Sequence, residues 1–256
     1  MSRKPPKKSD MGKSWMKPRR DSQQMISPEY HALRTAFESD SQPFGYAPAG
    51  LGEYGYVPPM RNITYLIVSE GTKTEPKYFE KIKATIDAKY RNRIHLDISA
   101  KGNNTINLFH RAVKDVARSN IVYKHVWLVF DKDDFPSENF DHTAELCAAE
   151  STDETRYHPI WSNQCIELWF LLHFMFLQAD LHRDEYWPKL NECLESRNLG
   201  CYYKNRTDMF DVLRPYMDDA IRNANKLEEI NTGKSPSRAT PGTMVHHLIE
   251  ILKPYL

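Results

Sequence analysis

Acidic side chains with a particular placement set the first chemical expectation. Glu70 and Glu75 fall within SEGTKTEP, and Asp131, Asp133 and Asp134 within FDKDDF. Glu70 is the first acid after the apolar run ITYLIVS (63–69), and Asp131 closes HVWLVFD (125–131). Crowded carboxylates repel one another, and a divalent cation relieves that repulsion. An all-oxygen donor set suits a hard ion such as Mg2+ or Mn2+, which keeps part of its water shell. Such an ion polarises a phosphoryl group and lowers the pKa of an attacking water. One acid after a strand is ordinarily a helix cap or a solvated loop residue. Acids at two strand ends make a shared metal site the sharper expectation.

A second constellation lies in SNQCIELWFLLHF (162–174), where Glu167 and His173 bracket a very apolar stretch. A carboxylate there is costly unless paired or hydrated, although a helix N-terminus would favour it. His173 does not share a helical face cleanly with Glu167, so a buried, hydrogen-bonded structural ring is the plain reading beside an accessory role. Lys73, Lys101, Lys204 and Arg238 stand at loops or element ends, where a cation can contact phosphate or simply be solvated.

These residues need a scaffold that gathers them. The continuous apolar run Tyr65–Val68 reads as a strand buried on both faces. A helix is expected from about 77 to 89 with Pro76 at its start. Then come a strand at 94–100, a helix capped by Asn104 or Thr105 and running to about Ser119, and a strand at 125–131. A helix near 140–150 and a strand at 155–161 complete the alternation. This order predicts an α/β domain, a mostly parallel sheet covered by helices on both faces. Sites in such sheets open beyond the carboxyl ends of the strands. Adjacency of the first and third strands would therefore bring Glu70 and Asp131 to one edge. Residues 165–177 read as one buried helix, followed by helices at 184–195, 207–229 and 242–253 with a loop over 231–243. Four regions result: a disordered basic tail (1–25), an extension (26–61) wrapping the core, the α/β domain (62–180) and a helical C-terminal region (181–256). The extension holds a short helix at 28–38 and the aromatics Phe44, Tyr46, Tyr54 and Tyr56.

Bulk properties narrow the class. The 256 residues suffice for one substantial core. No run approaches the roughly 20 apolar residues that span a bilayer. The lysine-rich start has no apolar segment behind it, so no secretory signal is expected, and the chain reads as cytoplasmic. Cys147, Cys165, Cys193 and Cys201 form no CxxC pair, which argues against a zinc knuckle or a disulfide framework. Net charge is +1, yet residues 1–20 carry eight Lys or Arg and one Asp, so a tail of +7 precedes a body of −6. A basic tail of this kind is suited to a polyanion such as nucleic acid.

Five collinear segments carry a family resemblance: LIVSEGTKTEPKYF (66–79), VWLVFDKDDF (126–135), SNQCIELWFLLHF (162–174), the Tyr203–Lys204 step and TPGTMVHHLIE (240–250). Together they resemble the RloB family, the AbiLii-type abortive-infection proteins of bacterial anti-phage systems. That family in turn resembles Toprim domains of topoisomerases, primases and OLD-type nucleases. The resemblance implies a Toprim-like fold and a metal site. Glu70 stands at the Toprim glutamate, Asp131 and Asp133 at its DxD pair, and Glu75 and Glu167 match further acids of the RloB pattern. Gln164 departs from the usual Pro of the fourth segment. The implied function is a Mg2+- or Mn2+-dependent nuclease effector acting on DNA or RNA, with Glu70 as ligand or base and both aspartates as ligands. The other class is a non-catalytic nucleotide- or nucleic-acid-binding subunit of a defence complex, partnered by a co-encoded ATPase. A third is other metal-dependent phosphoryl chemistry.

Overall fold

A computed structural model describes residues 63–90, 94–100, 105–134 and 136–256. The basic tail, the 26–61 extension and Lys101 lie outside the described residues.

Strands β1 (Ile63–Ser69), β2 (Ile94–Ala100), β3 (His125–Asp131), β4 (Arg156–Asn163) and β5 (Gly242–Thr243) form one sheet in the order β2-β1-β3-β4-β5. The first four are parallel, and β5 runs antiparallel to β4. The helices are α1 (Thr74–Tyr90), α2 (Thr105–Arg118), α3 (Ser137–Glu150), α4 (Glu167–Leu172), α5 (Arg183–Glu195), α6 (Met209–Leu213), α7 (Met217–Ile230) and α8 (Val245–Leu252). The chain is thus a mostly parallel sheet flanked by helices, with a helical C-terminal extension.

Side chains alternate across the strands, so each strand feeds two cores. Leu66 and Val68 of β1 and Val126, Leu128 and Phe130 of β3 pack with Leu108, Phe109 and Ala112 of α2 and with Phe140 and Cys147 of α3. Residues between them belong to the other face, where Tyr65 meets Trp127 edge-on at 6.1 Å. There α1 borders β2, while α4 and α8 border β4. Because both faces are covered, β3 is apolar nearly throughout, and every residue of it but Asp131 is buried.

Three C-terminal expectations need correction. The helix expected over 165–177 is confined to α4, six residues long. Its carbonyl at Leu172 is taken by the Asn223 side-chain amide of α7 at 2.8 Å, and Met175 and Phe176 beyond it reach the surface. The helix expected over 207–229 is broken into α6, a 3-10 turn (Arg214–Tyr216) and α7. Pro215 lies at that break, where it lacks the N–H a continuous helix needs. The helix expected from 242 starts at Val245, because Gly242 and Thr243 pair with Asn163 and Ser162 as β5. A Cβ at Gly242 would lie 2.5 Å from the Ala239 carbonyl oxygen, so only glycine fits that approach.

Candidate functional site

The register of the central strands decides where the acids go. β1 pairs with β3, and Ser69 lies opposite Val129. Glu70 continues that ladder by donating its N–H to Val129 O at 2.9 Å. Asp131 lies opposite Ser162 of β4, and the chain past β3 stays bonded to β4, with Lys132 N on Ser162 O and Asp133 N on Gln164 O. Asp133 has a φ of 41°, a left-handed conformation that Asp tolerates better than most residues. A turn at Asp133 and Asp134 follows.

Each acid is held by backbone. The Glu70 carboxylate accepts the Asp131 N–H. Asp131 Oδ2 accepts the Ile166 N–H at 3.1 Å, just ahead of α4. Glu75, in the first turn of α1, accepts its own N–H, and its carboxylate folds over Gly71. A Cβ at residue 71 would collide with that carboxylate. Glu167 opens α4 and accepts the Tyr202 hydroxyl at 2.6 Å, with the Cys165 thiol as a second donor.

Burial and mutual repulsion dominate the electrostatics. Desolvation pushes the Glu70 carboxyl up to about 8, with Asp133 and Glu75 adding to the shift. Desolvation likewise raises Glu75, with Glu167 and Asp133 repelling it, and raises Asp131 well above the usual range, with Glu75, Glu167 and Asp133 repelling it. Asp133 is also raised by desolvation, but Arg183 and Lys204 counter the effect. Five carboxylates thus sense one another at the carboxyl end of β1 and β3.

Two cations balance them. Arg183, first residue of α5, holds Asp133 at 2.8 Å. Lys204 acts on both Glu75 and Asp133, and its backbone carbonyl accepts the Thr74 hydroxyl at 3.1 Å, fixing residues 202–204 against the start of α1. Trp187 and Tyr203 are exposed nearby in sequence, and Trp187 packs against Tyr202 at 5.3 Å.

The remaining expected residues are more scattered. Lys73 and Arg238 are exposed. His173 sits at the far end of α4 from Glu167, wholly buried, with Nδ1 against Trp169 O at 2.9 Å and its ring edge-on to Trp169. Burial lowers it to about 4. Arg183, Tyr202 and Cys165 are the side chains the sequence does not single out. A charged residue at a helix start and a tyrosine in a loop give no local signal of the acids they meet.

A separate cluster lies between α7 and α8. Glu228, His246 and His247 are, among the described residues, the one set of three His, Cys, Asp or Glu donors drawn within 4.8 Å of one another. This cluster can coordinate a divalent metal. The acids at the sheet edge are spread more widely.

Searches of curated proteins and of solved structures gave no match. No helix of the described residues is long and apolar enough to cross a membrane. The family model described as RloB-like protein matches residues 65–252, which holds all of the sheet but the first two residues of β1 and holds both clusters, and on that match the chain belongs to the RloB-like family.

Proposed function

We propose that the chain is a metal-dependent nuclease, an effector of a bacterial anti-phage abortive-infection system, working in the cytoplasm on DNA or RNA with Mg2+ or Mn2+. The observation that carries the reading is a set of buried oxygens with no hydrogen-bond partner. Glu70 Oε2, Asp131 Oδ1 and Gln164 Oε1 all end without one, and Asp133 Oδ1 has only its ion pair with Arg183. Orphaned carboxylate oxygens at a strand edge are expensive, and a hard cation satisfies them. The donors are all oxygen, which fits Mg2+ or Mn2+. Their wide spacing suits an ion held partly through its own water.

Glu70, Asp131 and Asp133 would hold the ion, with Glu75 and Glu167 hydrogen-bonding its water. When bound, the ion supplies charge to the phosphoryl oxygens and acidity to a bound water. Burial raises the Glu70 carboxyl, and a cation beside it would favour the ionised form, which is the form able either to ligate the ion or to take a proton from the attacking water. Lys204 and Arg183 offer positive charge to the phosphate, and exposed Tyr203 and Trp187 offer rings for base stacking. Exposed Lys73 and Arg238 are further candidates for phosphate contact, as is Lys101, which lies outside the described residues.

A second reading rests on Arg183. An arginine already paired with Asp133 leaves one fewer acid for metal, as suits a subunit that binds nucleotide or nucleic acid for a co-encoded ATPase without cutting. Calorimetric titration of Mn2+ into wild type and Asp131→Asn, with both assayed on DNA and RNA, separates the two. The nuclease reading expects binding and metal-dependent cleavage by wild type, with both lost in the variant. Metal binding without cleavage in the presence of the ATPase favours the second reading. Equal metal binding by both proteins removes Asp131 from any site.

A further inference from the structure

The Glu228, His246 and His247 cluster has donors of a different kind from the acidic edge, in a different place. Glu228 stands in the last turn of α7, and His246 and His247 in the first turn of α8. His246 Nε2 and His247 Nε2 each lie 3.0 Å from the same oxygen, Glu228 Oε2. The two imidazole rings lie 4.0 Å apart between centroids, tilted by 36°. Ligands around a tetrahedral zinc ion, at ~2.0–2.1 Å from it, are separated by about 3.3 Å along each edge. The observed separations from the carboxylate are close to that spacing.

The end of α7 is acidic, and the two imidazoles meet its carboxylate. The last turn of α7 carries Glu228 and no basic residue. A carboxylate there adds to the negative end of the helix rather than offsetting it. His246 and His247 sit at the N-terminal end of α8, and His246 is wholly buried. Neutral imidazole is the form that ligates metal.

We propose that Glu228, His246 and His247 bind a borderline transition-metal ion of the Zn2+ class, distinct from the hard cation of the acidic edge. Two imidazoles and one carboxylate are the donors such ions prefer, and Mg2+ is not expected to compete for them. Glu228 is 28% exposed and His247 16% exposed on their side chains. The fourth position therefore opens toward solvent and is filled by water. The ion ties the end of α7 to the start of α8, directly after the two residues that form β5.

The test uses the full chain, stripped with chelator and held in excess Mg2+ so that the acidic edge is supplied. Co2+ is the probe, because four-coordinate Co2+ absorbs far more strongly in the visible than the hydrated ion. Wild type should bind one equivalent with that strong absorption, and Zn2+ should displace it and raise the thermal midpoint. Glu228→Gln and His247→Gln should each lose the absorption and the Zn2+-induced rise, while Asp131→Asn keeps both. His247 is partly exposed, so His247→Gln should match the unfolding midpoint of metal-free wild type. If that variant fails to fold, Glu228→Gln and the wild-type titration still decide. Weak, six-coordinate absorption in wild type overturns the proposal, as does strong absorption that survives in both variants or vanishes in Asp131→Asn.

Discussion

At the scale of single residues, the acidic edge is a balance between burial and charge that pH can tip. The Glu70 carboxyl is raised from near 4.5 to about 8, first by desolvation. A group whose folded-state pKa is raised contributes stability that is fully present below its unfolded value. That contribution is lost as pH rises through the folded value. Without divalent ions, Glu70 should therefore weaken the fold progressively from about pH 4.5 to pH 8. His158, lowered to about 3, and His173, lowered to about 4, both chiefly by desolvation, act in the opposite sense. Their contribution is present above their ordinary pKa near 6.5 and is lost as pH falls toward 4 and then 3. Thermal midpoints of chelated wild type should fall between about pH 6 and pH 8.5, and those of Glu70→Gln should fall less, by an amount on the order of 1 kcal/mol at the higher pH. Divalent ions should flatten the wild-type curve. Identical curves for the two chelated proteins would mean that the Glu70 carboxyl is not strained by its surroundings. Glu70 and Asp131 are legible in the sequence because each follows an unmistakable strand. Arg183 is not, because its partner Asp133 lies fifty positions earlier in the chain and only the folded sheet edge brings them together.

Among the elements, the sheet is the legible part. Continuous β-branched runs between helices of crossover length leave little choice for β1 to β4, and the adjacency of β1 with β3 follows the expectation that the acids share an edge. The C-terminal elements are less legible because their ends are set by tertiary contacts. Nothing in the apolar string from Cys165 to Leu177 stops a helix at Leu172. The stop comes from α7, whose Asn223 amide takes the Leu172 carbonyl. Deleting that amide leaves a carbonyl in the buried end of α4 without its partner. Asn223→Ala should destabilise the protein by about 1–3 kcal/mol, read as a lower urea midpoint with an unchanged slope. Leu172, wholly buried at the same point, should cost roughly 2–5 kcal/mol when cut to Ala. An Asn223→Ala midpoint equal to wild type would assign the helix end to the sequence of α4 alone. β5 is the least legible element, since two residues carry no periodicity, and only their pairing with Ser162 and Asn163 defines them.

For the molecule as a whole, charge is divided along the chain. Residues 1–20 carry +7 and the remainder −6. Polyanion binding by such a tail releases counterions, so its contribution scales with salt. Removing residues 1–20 should weaken binding to a DNA or RNA duplex and flatten the slope of log affinity against log salt concentration. The thermal midpoint should change by less than about 5 °C. An unchanged slope would show that the body alone makes the phosphate contacts.

The order in which the sheet edge is completed has a consequence for synthesis. Glu70, Asp131 and Asp133 leave the ribosome early, whereas Arg183, Tyr202 and Lys204, which neutralise or hydrogen-bond the acidic group, follow much later. A half-made chain therefore carries an acidic edge with no counter-charge and no closing tyrosine. Any product that ends prematurely keeps the oxygens but lacks the groups that balance them. Completion of the acidic edge is thus tied to synthesis of the chain past Lys204.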